Sequence, residues 1–316
     1  MKHYPLSEAM SAFVSKSAEF VASDTSLSSR RHAFLRACRH FTPQAPAGWF
    51  IEDQLVDDLK LRVYNPSSPT PEGGWPTLLY LHGGGWAFGS LDSHDWFAFA
   101  MARRVPVAIV AVDYRLAPEH PFPAAFDDTL TAWHALRAGR VGSALSREKL
   151  MVGGDSAGGN LSAGLCIALR DANEPQPLLQ ALVYPVLSAS GDQPPMREHA
   201  DAPMLSAAEV TDSIAAYLPA AGMSTDARAM PLASADLTGL APAFITVAEY
   251  DPLRDQGYAY AEALLKAGVK NELYIAKGLV HGGLLAGEIE EVSPVYDAMA
   301  RALSQYAAVG AEATSR

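Results

Sequence analysis

The segment Gly154-Asp155-Ser156-Ala157-Gly158 places one serine among small residues. A short apolar run that predicts a strand ends just before it, and leucines at helical spacing (Leu161, Leu165 and Leu169) begin just after it. A G-x-S-x-G sequence between a strand and a helix is typical of a sharp turn that exposes a nucleophilic serine hydroxyl above a sheet. The pattern therefore predicts Ser156 as the nucleophile of an acyl transfer.

A glycine-rich turn before a helix can also carry no chemistry, or bind phosphate at the helix N-terminus. A phosphate loop needs a lysine after its glycines, whereas Asn160 and Leu161 follow here. Serine alone is a weak nucleophile. It requires a base, a group that orients the base, and donors for the oxyanion. The rest of the chain must therefore supply these partners.

The base is expected after the serine, because the chain order around such a turn is serine, acid, histidine. Two histidines, His199 and His281, follow Ser156. His199 lies in a long segment between strands, whereas His281 comes directly after a predicted strand and is followed by two glycines. The sequence therefore predicts His281 as the general base.

The acid is expected at the end of the preceding strand, 243–250. Asp251 lies at that end and precedes a proline, so it is predicted to accept a hydrogen bond from His281 and to stabilise the imidazolium. Two other carboxylates are close by. Glu249 would still be inside the strand, and Asp255 is expected to cap the following helix.

The oxyanion donors are expected in the glycine-rich segment HGGGW at 82–86, which follows another predicted strand. Loops of this type contribute backbone N–H groups to the oxyanion hole in lipases and esterases. The sequence predicts Gly83 and Gly84 as donors, with the Ala157 N–H as the third. His82 precedes the serine in the chain and is predicted to be structural.

Strand and helix signals alternate along most of the chain, which implies one mainly parallel sheet flanked by helices. Runs rich in Val, Ile, Leu and Tyr are typical of buried parallel strands. They lie at 77–82, 107–114, 149–154, 178–187, 243–250 and 272–276. Earlier segments predict two amphipathic helices and two strands joined by a tight turn, at 7–22, 27–41, 49–56 and 59–66.

One segment, 188–240, interrupts this alternation. It contains a capping-box pattern, Ser206 to Glu209, followed by apolar residues at helical spacing. A long insertion with its own helix favours a lid rather than a loop, and the two N-terminal helices are expected to join it. The predicted division is a cap formed by 1–47 and 188–240 over a catalytic core formed by 48–187 and 241–316.

Composition limits the possible functions. The chain has 316 residues, of which 49% are hydrophobic and 19% charged, as in a globular protein, and its net charge of −11 disfavours nucleic-acid binding. Without a signal-peptide pattern or a run of about 20 apolar residues, the sequence predicts a cytoplasmic protein that does not associate with membranes. Cys38 and Cys166 show no metal-ligand spacing, and Cys166 is predicted to be a buried thiol, although a disulfide remains open.

These motifs resemble the bacterial hormone-sensitive lipase family of α/β-hydrolases, from about residue 48 to the end. The matching segments are HGGGW at 82–86, DYRLAPEHPFPAA at 113–125, GDSAGGNL at 154–161 and EYDPLRD at 249–255. The resemblance implies an eight-stranded core with a helical cap, carboxylesterase activity, and a triad of Ser156, Asp251 and His281. We expect the 113–125 motif to support the oxyanion loop. The family usually has an aromatic residue where this chain has Gly283.

The leading hypothesis is a serine carboxylesterase that needs no metal or cofactor and acts on a small-molecule ester. Trp86 and Phe88 are predicted to line its pocket. The cap segment lacks a long exposed apolar stretch, so short acyl chains are favoured over long triglycerides. Alternatives are hydrolysis of an amide, an acetylated sugar or a xenobiotic ester, or a non-catalytic binding protein, which the presence of His281 disfavours. The resemblance also allows a homodimer.

Overall fold

The computed structural model describes residues 3–189, 196, 198–220 and 222–313. Eight strands form one sheet, in the order β1-β2-β4-β3-β5-β6-β7-β8. Strand β2 pairs antiparallel with β1 and β4, and all other pairs are parallel, so the expected α/β-hydrolase architecture is confirmed. The strands are β1 Trp49–Val56, β2 Leu59–Pro66, β3 Trp75–Leu81, β4 Ala108–Val112, β5 Leu145–Asp155, β6 Gln180–Val183, β7 Ala243–Tyr250 and β8 Asn271–Val280.

Helices cover both faces of the sheet. They are α1 Glu8–Ser17, α2 Leu27–Phe41, α3 Asp95–Ala102, α4 Ala124–Arg137, α5 Ala157–Asp171, α6 Ala207–Tyr217, α7 Arg254–Lys266 and α8 Ser293–Ala313. Strand residues alternate between two cores: Leu79 packs with Trp133 and Leu161 on one face, and Leu78 packs with Phe97 on the other. Nowhere in the described ranges is a helix both long enough and apolar enough to cross a bilayer.

Three predicted elements are longer than the observed ones: the helix at 7–22 and the strands at 107–114 and 178–187. The helix expected over 7–22 ends at Ser17, and a serine-rich loop follows in which Asp24 accepts from the Ser26 N–H. Serine and aspartate side chains that bond to nearby backbone compete with helix formation. The apolar run 178–187 forms a strand only to Val183, because Tyr184 adopts a φ of +33° before a proline.

The predicted capping box of α6 is confirmed. The Ser206 hydroxyl accepts from the Glu209 N–H at 3.2 Å, and the Glu209 carboxylate accepts from the Ser206 N–H at 2.8 Å. At the other end of α6, the Tyr217 carbonyl accepts from the Phe122 N–H at 2.9 Å. The last of these bonds holds α6 against the loop that follows β4, next to the carboxyl end of the sheet.

Candidate active site

Three predicted site residues form a continuous hydrogen-bonded chain. His281 Nε2 lies 2.9 Å from Ser156 Oγ, and His281 Nδ1 lies 2.8 Å from Asp251 Oδ2. Each residue follows a parallel strand, β5, β8 or β7, so the strand ends bring together positions 125 and 30 residues apart. A carboxylate can only accept. The His281 Nδ1 therefore donates to Asp251, and its Nε2 is free to accept the serine proton.

Asp251 is held rigidly at the end of β7. It is 0% exposed, and its second oxygen accepts from the Leu253 N–H at 2.8 Å. The neighbouring carboxylates point to other partners: Glu249 accepts from the Gly278 N–H, and Asp255 pairs with Arg254. The expectation that Asp255 caps α7 is therefore wrong, because the helix already begins at Arg254.

The turn at Ser156 explains its small neighbours. Ser156 has φ 54° and ψ −116°, a conformation that non-glycine residues rarely adopt. A Cβ on Gly154 or Gly158 would collide with the Leu81 carbonyl oxygen of the adjacent strand. The Ser156 N–H donates to the Val183 carbonyl at 2.8 Å, which ties the turn to β6. Close backbone approach, rather than loop flexibility, is what these glycines provide.

The structure corrects one predicted oxyanion donor. The Gly83 N–H donates to Asp155 Oδ1 at 2.9 Å, so it is already used inside the protein. The next two glycines line the cavity above Ser156, and within the described chain no protein acceptor is recorded for the N–H of either Gly84 or Gly85. The sequence does not point to Gly85, because the direction of each amide in an HGGG segment depends on the fold.

Asp155 was also not singled out from the sequence. It is 5% exposed, accepts from the Tyr80 hydroxyl at 2.6 Å as well as from Gly83, and lies 3.8 Å from His94 Nε2. Burial would raise the pKa of Asp155, but the nearby His94 and the hydrogen bonds outweigh it and lower the pKa. Asp155 thus holds the glycine-rich loop 82–86 in place through the Gly83 N–H.

The segment 113–125 supports the same loop from the side. The Tyr114 hydroxyl donates to the His82 carbonyl at 2.7 Å, and the Ala117 N–H donates to the Trp86 carbonyl at 2.8 Å. The His82 ring stacks on Tyr114 with centroids 4.1 Å apart, and burial lowers the pKa of His82 to about 3. His82 is therefore neutral and structural, as the sequence predicts.

A cavity of about 530 Å³ opens onto Ser156 and His281. Both predicted pocket residues line it. Trp86 is 1% exposed and stacks on Tyr217 of α6 at 4.2 Å, and the half-buried Phe88 lies 5.9 Å from the Phe34 ring of α2. The cavity walls from α2 and α6 include Leu27, Phe34, Cys38, Val210 and Ile214. A mainly apolar cavity with a few convergent polar groups is the usual form of a small-molecule site.

The histidine loop accommodates its unusual glycine by close packing. A Cβ on Gly283 would lie 2.6 Å from Leu279 Cδ1, so the leucine fills the space that a side chain would need. Gly282 adopts a φ of +72° and turns the chain into a short 3₁₀ helix, Gly283–Leu285. Leu285 at its end lines the cavity.

The two cysteines do not belong to the triad, although Cys38 lines the same cavity. Cys38 and Cys166 are buried free thiols, and burial raises the pKa of each. Among the residues that the structure places, no group of three or more His, Cys, Asp or Glu side chains is arranged to hold a metal ion.

The chain is similar in sequence to known α/β-hydrolases and carboxylesterases. A family model described as the alpha/beta hydrolase fold matches residues 78–285. The carboxylesterase NlhH of Mycobacterium tuberculosis is 44% identical over 243 residues, covering 73% of this chain and 75% of that protein. The ethyl acetate hydrolase of Pseudomonas putida is 37% identical over 256 residues, covering 78% of this chain and 80% of that protein.

A solved structure extends the similarity to almost the whole chain. An ester-hydrolase from the metagenome of Lake Arreo, complexed with a derivative of bipyridine phosphonate, is 32% identical and superposes with a TM-score of 0.84. The match covers 98% of this chain and 100% of that chain. It therefore spans all the elements that surround the cavity.

Proposed function

Because the chain belongs to the α/β-hydrolase fold family, and within it to the bacterial hormone-sensitive lipase-like carboxylesterases, we propose that it hydrolyses short-chain esters through an acyl-enzyme on Ser156. The observation that supports this most directly is the hydrogen-bonded chain from Ser156 Oγ through His281 to Asp251. It has the order and spacing that nucleophilic acyl transfer requires.

In the first half-reaction, His281 Nε2 takes the hydroxyl proton while Ser156 Oγ bonds to the ester carbonyl carbon. When the tetrahedral intermediate collapses, the carbon–alkoxide bond breaks, and the alkoxide leaves with the proton from Nε2 as the alcohol. A water molecule then gives a proton to His281 and attacks the acyl-enzyme. Ser156 Oγ regains that proton when the carboxylic acid departs. Asp251 stabilises the imidazolium formed in each half.

The negative charge that develops on the carbonyl oxygen needs donors opposite His281. We assign this role to the N–H groups of Gly84, Gly85 and Ala157. Gly84 and Gly85 line the cavity, and Ala157 is the first residue of α5, whose opening amides lack intrahelical acceptors. Losing one such donor typically lowers kcat about 10²–10³-fold.

We propose that residues 1–47 and 188–240 act as a cap over the 48–187 and 241–316 core. Side chains of α2 and α6 line the cavity above Ser156, and Arg31 of α2 donates to the Ala87 carbonyl at 2.8 Å beside the glycine loop. An apolar cavity of about 530 Å³ under such a cover suits a small acyl group better than a long triglyceride.

A chain-length series tests this function. We expect the purified protein to hydrolyse p-nitrophenyl acetate and butyrate faster than the octanoate and dodecanoate esters, and we expect Ser156→Ala to lose at least 10⁴-fold in kcat. Equally slow hydrolysis by the wild type and the variant on all four esters would contradict the proposal. The amide and binding-protein alternatives would then be tested next.

Assembly and location are further proposals. Strand β8 lies at one edge of the sheet and exposes Ile275 at 46% of its surface, and edge strands readily pair with a second chain. We propose a homodimer through β8 and the terminal helix, acting in the cytoplasm. Sedimentation equilibrium of the wild type and Ile275→Lys would test the dimer, since the added charge should shift the protein to monomer.

A further inference from the structure

A second cavity of about 470 Å³ lies directly beside the catalytic one. The two cavities share exactly two lining residues, Trp96 and Leu285. Trp96 comes from α3, and Leu285 comes from the 3₁₀ helix that begins two residues after His281. We call this pair the partition, because both residues line the substrate cavity as well as the second cavity.

Both residues of the partition are at least partly buried. Trp96 is 4% exposed, its ring lies 5.4 Å from His94 and 6.0 Å from Phe97, and no acceptor for its indole N–H is found in the described chain. Leaving such a donor buried and unpaired is costly. Leu285 is half-buried, and its N–H is held by the Gly282 carbonyl at 3.1 Å. Shortening either side chain would therefore open a passage without removing a strand or a helix.

The second cavity suits an alkyl chain next to the partition. Phe41, Ala100, Leu284 and Ile289 line it with apolar surface. Two charged pairs also line it: Arg104 donates to Asp297 at 2.8 Å, and Arg103 lies 3.5 Å from Glu288, with Glu290 as a further carboxylate. The remaining carboxylate disfavours an anion, and the apolar residues next to the partition offer contact surface to a hydrocarbon.

We propose that Trp96 and Leu285 set the longest alkyl chain that the enzyme accepts, by closing the catalytic cavity against a second cavity that would otherwise continue it. This inference rests on the proposed esterase function, and it concerns the substrate class of that same site. The part of the substrate that contacts the partition is the alkyl chain of an ester, in either its acyl or its alcohol group.

The expected effect follows from burial of methylene groups. Each buried CH₂ contributes about 0.8 kcal/mol, which is about fourfold in kcat/KM. In the wild type this gain should stop once the chain reaches the partition. In Leu285→Ala and Trp96→Leu it should continue into the second cavity. Two further accommodated methylenes would then raise the octanoate-to-butyrate ratio of kcat/KM by about tenfold or more.

The test compares this ratio in the wild type, Leu285→Ala, Trp96→Leu and the matched control Ile289→Ala. Ile289 lines the second cavity but not the catalytic one, so its truncation enlarges the second cavity while leaving the partition intact. A parallel series of butyl and octyl acetates shows whether the alcohol arm responds instead. A rise in either series in both partition variants, absent from Ile289→Ala, supports the proposal. An unchanged ratio in both series, or an equal rise in the control, overturns it.

A binding measurement separates this proposal from the esterase proposal. Butyrate, octanoate and dodecanoate are titrated calorimetrically into Ser156→Ala, with and without Leu285→Ala. In Ser156→Ala we expect the affinity for these carboxylates to stop increasing with chain length. In Ser156→Ala with Leu285→Ala we expect it to continue increasing, whether or not any ester is hydrolysed. Identical chain-length dependence in two folded proteins would refute the partition even if the wild type proves to be an active esterase.

Discussion

Asp155 offers the sharpest test of how the oxyanion loop is held. Its Oδ1 accepts from both the Gly83 N–H at 2.9 Å and the Tyr80 hydroxyl at 2.6 Å, in a position that is 5% exposed. Asp155→Ala removes both bonds and leaves two buried donors without an acceptor. Asp155→Asn keeps an oxygen at the Oδ1 position and exchanges only the oxygen that faces His94.

The magnitude follows from these two contacts. A hydrogen bond to a buried charged group contributes about 1.5–3 kcal/mol. The alanine variant should therefore lose about 3–6 kcal/mol of unfolding free energy, whereas the asparagine variant should lose about 1–2 kcal/mol because neutral bonds replace charged ones. If Gly83 is what aims the next two amides, the alanine variant should also lose about 10²–10³-fold in kcat, the usual cost of an oxyanion donor.

The assay pairs urea unfolding with kcat for p-nitrophenyl butyrate. Tyr80→Phe is the matched control, since it removes one of the two bonds to Asp155 but leaves the Gly83 bond in place. It should lower stability by about 1.5–3 kcal/mol with a kcat loss under tenfold. A folded Asp155→Ala protein whose kcat stays within threefold of the wild type would show that Asp155 does not position the loop.

Three further predictions address the site and its surroundings. Asp251→Asn should lower kcat about 10⁴-fold with little change in KM, because His281 loses the partner that fixes its tautomer. A decrease in kcat of less than tenfold in steady-state assays would argue against the triad. Burial lowers the pKa of His82 to about 3. Below pH 6.5 the unfolded chain therefore binds a proton at this histidine that the native state does not bind. The contribution of His82 should lower the free energy of unfolding by about 1.4 kcal/mol per pH unit from pH 6.5 towards 3. Urea unfolding at pH 7 and 5 should show a smaller decrease in the free energy of unfolding for His82→Asn than for the wild type. Gly158→Ala should cost more than 3 kcal/mol, measured by thermal unfolding, because its methyl group would collide with the Leu81 carbonyl.

Much of the fold could be predicted because its signals are local. Buried parallel strands appear as short apolar runs, and β7 was predicted with its observed bounds. The chain order serine, acid, histidine also needs no tertiary knowledge, since parallel strands bring their carboxyl ends to one edge. The structure places His281 within hydrogen-bond distance of both Ser156 and Asp251 at that edge.

The errors occurred where an outcome depends on contacts between distant segments. Nothing local shows that Gly83 turns its N–H towards a carboxylate 72 residues later, which is why Gly83 was expected as a donor and why we propose Gly84 and Gly85 instead. Likewise, Asp255 has the residue type of a helix cap, but Arg254 pairs with it and the helix begins one residue earlier. Side-chain type is visible in a sequence, whereas the partner that a side chain finds is not.

Backbone strain shows where this chain departs from local preference. Among the described residues, six non-glycine residues have positive φ, and four of them, Trp86, Ser156, Tyr184 and Met204, line the catalytic cavity. Such conformations cost of order 1–3 kcal/mol each and persist only where the surrounding structure enforces them. Ser156, the stacked wall residue Trp86, and Tyr184, whose ring lies 4.6 Å from that of His281, are thus all held in conformations that their residue types disfavour. Selection for stability alone would remove this strain. Three of these four residues lie outside the triad, so the concentration of strain around one cavity supports the proposal that the protein acts there.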